Sequence, residues 1–157
     1  MEGGRFAGHS ALKPYPHIYV AGARAAASGT VLVRSAKLPD LQTAPPPEFD
    51  GPGGMWSPET LLVASIADCF ILTFRGVARA ARVEWQTLEA QVEGTLERIE
   101  GVTRFTRYLT RATLSVSTTA DVGKARELLE RAEKLCLVAN SLSGERVLEA
   151  TVNTREA

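Results

Sequence analysis

The chain has 157 residues, and its 18 Lys and Arg balance 18 Asp and Glu, so the formal net charge is zero. That length fits one domain with a moderate core, and the charge balance excludes a basic nucleic-acid surface and an acidic disordered tail. Two cysteines are too few for a disulfide scaffold and lack metal-ligand spacing, which fits a reducing compartment.

Residues 1–16 mix glycines, prolines and polar residues and are expected to form an N-terminal arm, with one domain over 17–157. No apolar leader segment is visible, so a cytoplasmic location is expected. Two short β-type runs follow, His17 to Ala23 and Thr30 to Arg34, with a turn near Ala25 to Gly29. From about Ser35 to Trp56 the chain is rich in Pro and Gly, and a loop of this length suggests a functional cover.

Ser57-Pro58 is a helix start, with Ser as N-cap, Pro at the first helical position and Glu59 in the first turn. The helix should run to about Arg82. From Leu61 to Phe74 it is apolar on nearly every face, yet Ser65, Asp68 and Thr73 interrupt it. It reads as too short and polar to span a bilayer, hence as a central covered helix. One sheet and one further helix cannot cover it on all sides. A second copy of the chain can, so an obligate homodimer is expected.

Leu88, Ala90, Val92 and Leu96 alternate with Glu89, Gln91, Glu93, Thr95 and Glu97 along a half-solvated strand. Glu100-Gly101 turns the chain. Thr103 to Ser117 returns with Tyr108, Ala112, Leu114 and Val116 on one face and Arg107 and Arg111 on the other, opposite the acidic residues of its neighbour. Asp121 should cap a second helix, whose stripe runs Ala125, Leu128, Leu129, Ala132, Leu135, Cys136 and ends in Asn140 to Gly144. Val147 to Asn153 is a last strand. The order ββαββαβ, mostly antiparallel, is an α+β domain.

Cys69 and Cys136 carry the chemistry that the sequence offers. Both fall on apolar helical positions, where a free cysteine is commonly a small buried hydrophobe. A pair of thiols can instead do redox work, one attacking and one resolving. Cys69 lies twelve residues past the N-cap, about 18 Å along the helix and beyond the reach of its dipole. A nucleophilic Cys69 therefore needs a cation nearby, for which Arg24, Arg34 and Arg75 are candidates and Arg24 is best placed. Glu59, about 15 Å before Cys69 on the same helix, cannot touch it directly. Shared use of the two requires a bridging side chain, a broken helix or a second subunit. Asp68 sits inside the apolar run, where a carboxylate needs a partner, and Arg75 on the same face is the expected one. His9 and His17, the only histidines, are both near the N-terminus and do not suggest a Cys–His dyad.

The pattern Ser57-Pro58-Glu59-x-Leu61-Leu62-x-Ala64-x-x-x-x-Cys69, followed by Cys136-x-x-x-Asn140-Ser141, resembles the OsmC/Ohr family of osmotically inducible and organic-hydroperoxide-resistance proteins. The resemblance covers about residues 17–153. It implies an intertwined homodimer with two central helices wrapped by two β-sheets. It also implies a cysteine-based, thiol-dependent peroxidase acting on organic hydroperoxides, with Cys69 peroxidatic, Cys136 resolving and Glu59 orienting an arginine, for which Arg24 is the nearest match. No resident cofactor or metal is expected. An external dithiol, lipoyl-type in the family, would return the disulfide to thiols, and no nucleic acid or membrane partner is expected. Two positions depart from the family pattern. The stretch Glu48-Phe49-Asp50-Gly51 carries an acid where one branch has the arginine, and Leu137 follows Cys136 where proline is usual. The alternative reading is a non-peroxidatic dimer that binds a small hydrophobic ligand at its interface.

Overall fold

The computed structural model describes residues 12–156. A first three-stranded antiparallel sheet has the order β1 (Gly22–Arg24), β2 (Val31–Arg34), β3 (Leu41–Thr43). A second sheet has the order β4 (Thr87–Ile99), β5 (Val102–Ser117), β6 (Glu145–Arg155). Between the sheets in sequence runs α1 (Pro58–Ala80); α2 (Val122–Leu135) and the single-turn α3 (Leu137–Asn140) connect β5 to β6.

Several expectations need correction. The segment Ser35 to Trp56 contains β3 and one turn of 3-10 helix, Pro47–Phe49. It is tied back by the Ala44 amide donating to the Trp56 carbonyl at 3.0 Å. The order is therefore βββαββααβ rather than ββαββαβ. The first predicted strand shrinks to Gly22–Arg24, and Ile18, Tyr19 and Val20 ahead of it are exposed without strand partners. β6 runs parallel to β5, because the α2–α3 crossover carries the chain back to the starting end of the sheet. Of the proposed arm, residues 12–16 are exposed, and 1–11 lie outside the described residues, as does His9.

α1 begins as its sequence dictates. Ser57 Oγ accepts from the Thr60 amide at 3.2 Å while Thr60 Oγ1 accepts from the Ser57 amide at 2.9 Å, a reciprocal cap with Pro58 at the first helical position. Its buried stripe is Ile66, Phe70, Phe74, Val77 and Ala78. Phe70 and Phe74 pack with Ala112, Leu114 and Val116 of β5 and with Ala125, Leu128 and Leu129 of α2, which makes one core between the second sheet and two helices. The Asp121 cap is present, its carboxylate accepting from the Lys124 amide at 2.9 Å.

The β4 alternation holds from Thr87 to Gly94 and then fails. A register shift between Thr95 and Leu96 leaves Thr106 unmatched on β5 and turns Leu96 outward, 37% exposed. The acid–base ladder exists on the solvent face, where Arg111 pairs with Glu93 at 3.0 Å and with Glu149 at 3.2 Å. These exposed pairs contribute little to stability.

Candidate active site

α1 carries Cys69 near its middle, half-buried, with Sγ 3.9 Å from Thr73 Oγ1 one turn on. Cys136 is 1% exposed. It does not lie inside the second helix as the apolar stripe predicts. It sits in the break between α2 and α3 with φ −61° and ψ 105°, an extended backbone. From that break Sγ reaches the Ile66 carbonyl oxygen of α1 at 3.9 Å. Ile66, Tyr108, Cys136 and Ala139 form a small second core, with Cys69, Leu62 and Phe105 packed against it. The two sulfurs, 67 residues apart in the chain, thus share one apolar cluster.

The electrostatics of Cys136 follow from that place. Burial pushes its thiol up, the Ala139 amide offsets part of this, and the neighbouring Cys69 pushes it up again. Arg146 pulls it down. Arg146, on β6, was not among the arginines that the sequence pointed to. Its Nε donates to Glu133 Oε1 at 2.7 Å and Nη1 to Asn140 Oδ1 at 2.6 Å, while Nη2 donates to the Glu133 main-chain oxygen. A cation on the last carbonyls of a helix is a recognised terminator. Here it closes α2 one residue before Cys136. Its sequence signal was faint, an arginine opening a strand just past the Gly144 turn.

The other candidates lie elsewhere. Arg24 is exposed on β1 along a shallow groove with Val20, Arg34 and Asp40, and makes no ion pair among the described residues. Arg34 is paired with Asp40 at 3.2 Å. Asp68 and Arg75 are both exposed and form no ion pair with each other, so the expected buried pairing is absent. Glu59 lies ten residues ahead of Cys69 on an unbroken α1, so the protomer itself does not join them. Its carboxylate edges an apolar groove of about 530 Å³ formed with Val31, Val33, Pro46, Phe49 and Leu61. There Oε2 is buried without a hydrogen-bond partner among the described residues. No group of His, Cys, Asp and Glu suited to a metal ion occurs among the described residues.

A family model described as OsmC-like protein matches residues 51–150. The protein YmaD of Bacillus subtilis, itself uncharacterized, is 30% identical over 112 residues, covering 68% of this chain and 75% of that protein. Among solved structures, an OsmC-like protein of unknown function from Vibrio cholerae superposes with a TM-score of 0.77 at 18% identity, over 86% of this chain and 99% of the other. An organic hydroperoxide resistance protein from Legionella pneumophila gives 0.70 at 24% identity, over 89% and 99%. The organic hydroperoxide resistance protein OhrB of Bacillus subtilis gives 0.63 at 20% identity, over 87% and 98%. At these identities the solved structures speak to the fold.

Proposed function

Because this chain belongs to the OsmC/Ohr family, we propose that it is a thiol-dependent peroxidase that reduces organic hydroperoxides, with Cys69 attacking and Cys136 resolving. The observation that carries the reading is the shared cluster of the two sulfurs. Structural neighbours named for organic hydroperoxide resistance support the peroxide-related role.

The chemistry runs in three steps. The Cys69 thiolate attacks the distal peroxide oxygen, the O–O bond breaks, and the alkoxide leaves and takes a proton as an alcohol. Cys69 is now a sulfenic acid. The Cys136 sulfur attacks it, an S–S bond forms, and water leaves with the hydroxyl oxygen. An external dithiol then exchanges twice, ending as its own cyclic disulfide with both cysteines reduced. Apolar side chains around the sulfurs suit an alkyl hydroperoxide.

The working unit is a homodimer in this proposal. One 18-residue stretch of α1 is apolar enough by composition alone to pass as a membrane span, a test that core helices also pass. Only 22% of its most apolar stretch is buried, and Leu72 is 53% exposed. Ile18, Tyr19 and Val20 are more exposed still. A second copy that packs on these surfaces removes them from water, and it brings a cation to Cys69 or Glu59 from the other subunit.

The test is turnover of cumene hydroperoxide with dihydrolipoamide. Wild type should turn over, Cys69→Ser should not, and Cys136→Ser should stop after one equivalent of alcohol. Wild-type turnover no faster than Cys69→Ser overturns the proposal. The groove beside Glu59 favours the second reading, binding of a small hydrophobic ligand. Under it, a copurified ligand is lost on Glu59→Ala while Cys69→Ser retains it.

A further inference from the structure

Among the described residues, the cation that lines one void with Cys136 is neither Arg24 nor Arg34. It is Arg146, fixed by three hydrogen bonds that span the α2–α3 break. Its guanidinium holds the Glu133 side chain, the Glu133 carbonyl and the Asn140 amide oxygen. Asn140 in turn donates Nδ2 to the Lys134 carbonyl at 3.1 Å, and its main-chain amide donates to the Cys136 carbonyl at 2.9 Å. The break that aims Cys136 at α1 is thus tied on both sides to one arginine. Arg146 and Cys136 also line the same small void, with Ile66, Tyr108 and Glu133 among its other walls.

Burial makes the two sulfurs unequal. Cys69 is half-buried and Cys136 is 1% exposed. A reductant that attacks a Cys69–Cys136 disulfide reaches the Cys69 sulfur, so Cys136 is the sulfur that departs. It departs with the electron pair of the S–S bond, as a thiolate inside an apolar cluster, and a charge created there needs an opposite charge close by. We propose that Arg146 is the positioning residue of the resolving cysteine: clamped by Glu133 and Asn140, it fixes the break that carries Cys136 and stabilises the Cys136 thiolate as it leaves the disulfide.

This rests on the peroxidase reading for the role of the disulfide, but not for the electrostatics of Arg146. The groups that face Cys136 are Cys69 from α1, Tyr108 from β5, Glu133 from α2 and Arg146 from β6. Tyr108 is held neutral by burial, which raises its hydroxyl. Glu133 opposes Arg146 at Cys136 by neutralising it at 2.7 Å.

The experiment has two arms. In the first, Cys136 is the sole thiol, in Cys69→Ser, and its ionisation is followed by thiolate ultraviolet absorbance against pH. Adding Arg146→Gln should move the titration upward, Arg146→Lys should restore most of it, and Glu133→Gln should move it downward. The Glu133→Gln arm stands if Arg146→Gln does not fold. Titrations that coincide in all folded variants overturn the proposal. In the second arm, the preformed disulfide is reduced by dihydrolipoamide. Arg146→Gln should slow this by roughly tenfold, since a poorer leaving thiolate leaves more slowly. An unchanged rate overturns the catalytic part. If wild type forms no disulfide under hydroperoxide, the peroxidase reading fails while the first arm still judges Arg146.

Discussion

Cys69 packs against the small apolar cluster that holds Cys136 and helps to keep the Cys136 proton in place. Burial is the larger cause, and both push the Cys136 thiol above its ordinary range, against the pull of Arg146. A consequence for stability follows in the reduced protein. In the unfolded chain Cys136 ionises near a cysteine's usual value of about 8.5. In the fold it ionises higher. Below about pH 8.5 the proton is bound in both states and the stability is fully present. Above it the unfolded chain loses its proton first, and stability falls until the pH passes the folded value. Urea midpoints at about pH 7 and pH 9.5 should therefore drop more in wild type than in Cys136→Ser. Equal drops would sink this.

What the sequence revealed and what it hid divide along physical lines. Local rules were readable where the chain answers to itself. Ser57-Pro58 caps α1, Asp121 caps α2, and the Thr87 to Gly94 alternation faces the core as written. The family resemblance was readable for the same reason, because its motif lies along α1 and around Cys136. The α2–α3 break was hidden because the apolar spacing continues through Cys136 to Ala139 with no Gly or Pro. The chain stops the helix there with a guanidinium from β6, which no local window contains. Arg146 was missed as the site's cation on the same account. The parallel pairing of β6 and the bulge opposite Thr106 are also tertiary choices.

At Gly94 the α1 residue Val63 packs close against β4. A Cβ there would stand 2.8 Å from Val63 Cγ1 on α1 and 2.8 Å from Phe105 Cε1 on β5. Phe105 also packs against the small core around the cysteines. Gly94→Ala must push α1 or Phe105 aside, at a cost of about 1–3 kcal/mol. Thermal unfolding should show a lower midpoint, and Val63→Ala on that background should recover part of it. A midpoint at or above wild type would contradict the close approach.

Leu72 points away from the intramolecular core in the apolar centre of α1, 53% exposed. In the proposed homodimer a second copy covers it. Leu72→Asp would place a carboxylate in that contact without altering the buried stripe Phe70 and Phe74. Sedimentation velocity should then show a monomer where wild type is a dimer, with the helical content kept. A Leu72→Asp dimer as stable as wild type would remove this face from the interface.

Glu59 decides where its own partner comes from. Oε2 is buried beside an apolar groove, and no described residue of its own chain gives it a hydrogen bond. Deleting a buried oxygen that is truly alone relieves its desolvation and stabilises the protein. Deleting one that a cation of the second subunit satisfies leaves that cation unpaired, which costs about 2–5 kcal/mol at an interface. The homodimer proposal requires the second case. Glu59→Ala should therefore weaken the dimer by about 1.4 kcal/mol or more, tenfold in Kd. Glu59→Asp should recover part of the loss. Sedimentation equilibrium reads the difference directly, and a Glu59→Ala dimer tighter than wild type would mean that no group of the partner reaches this carboxylate.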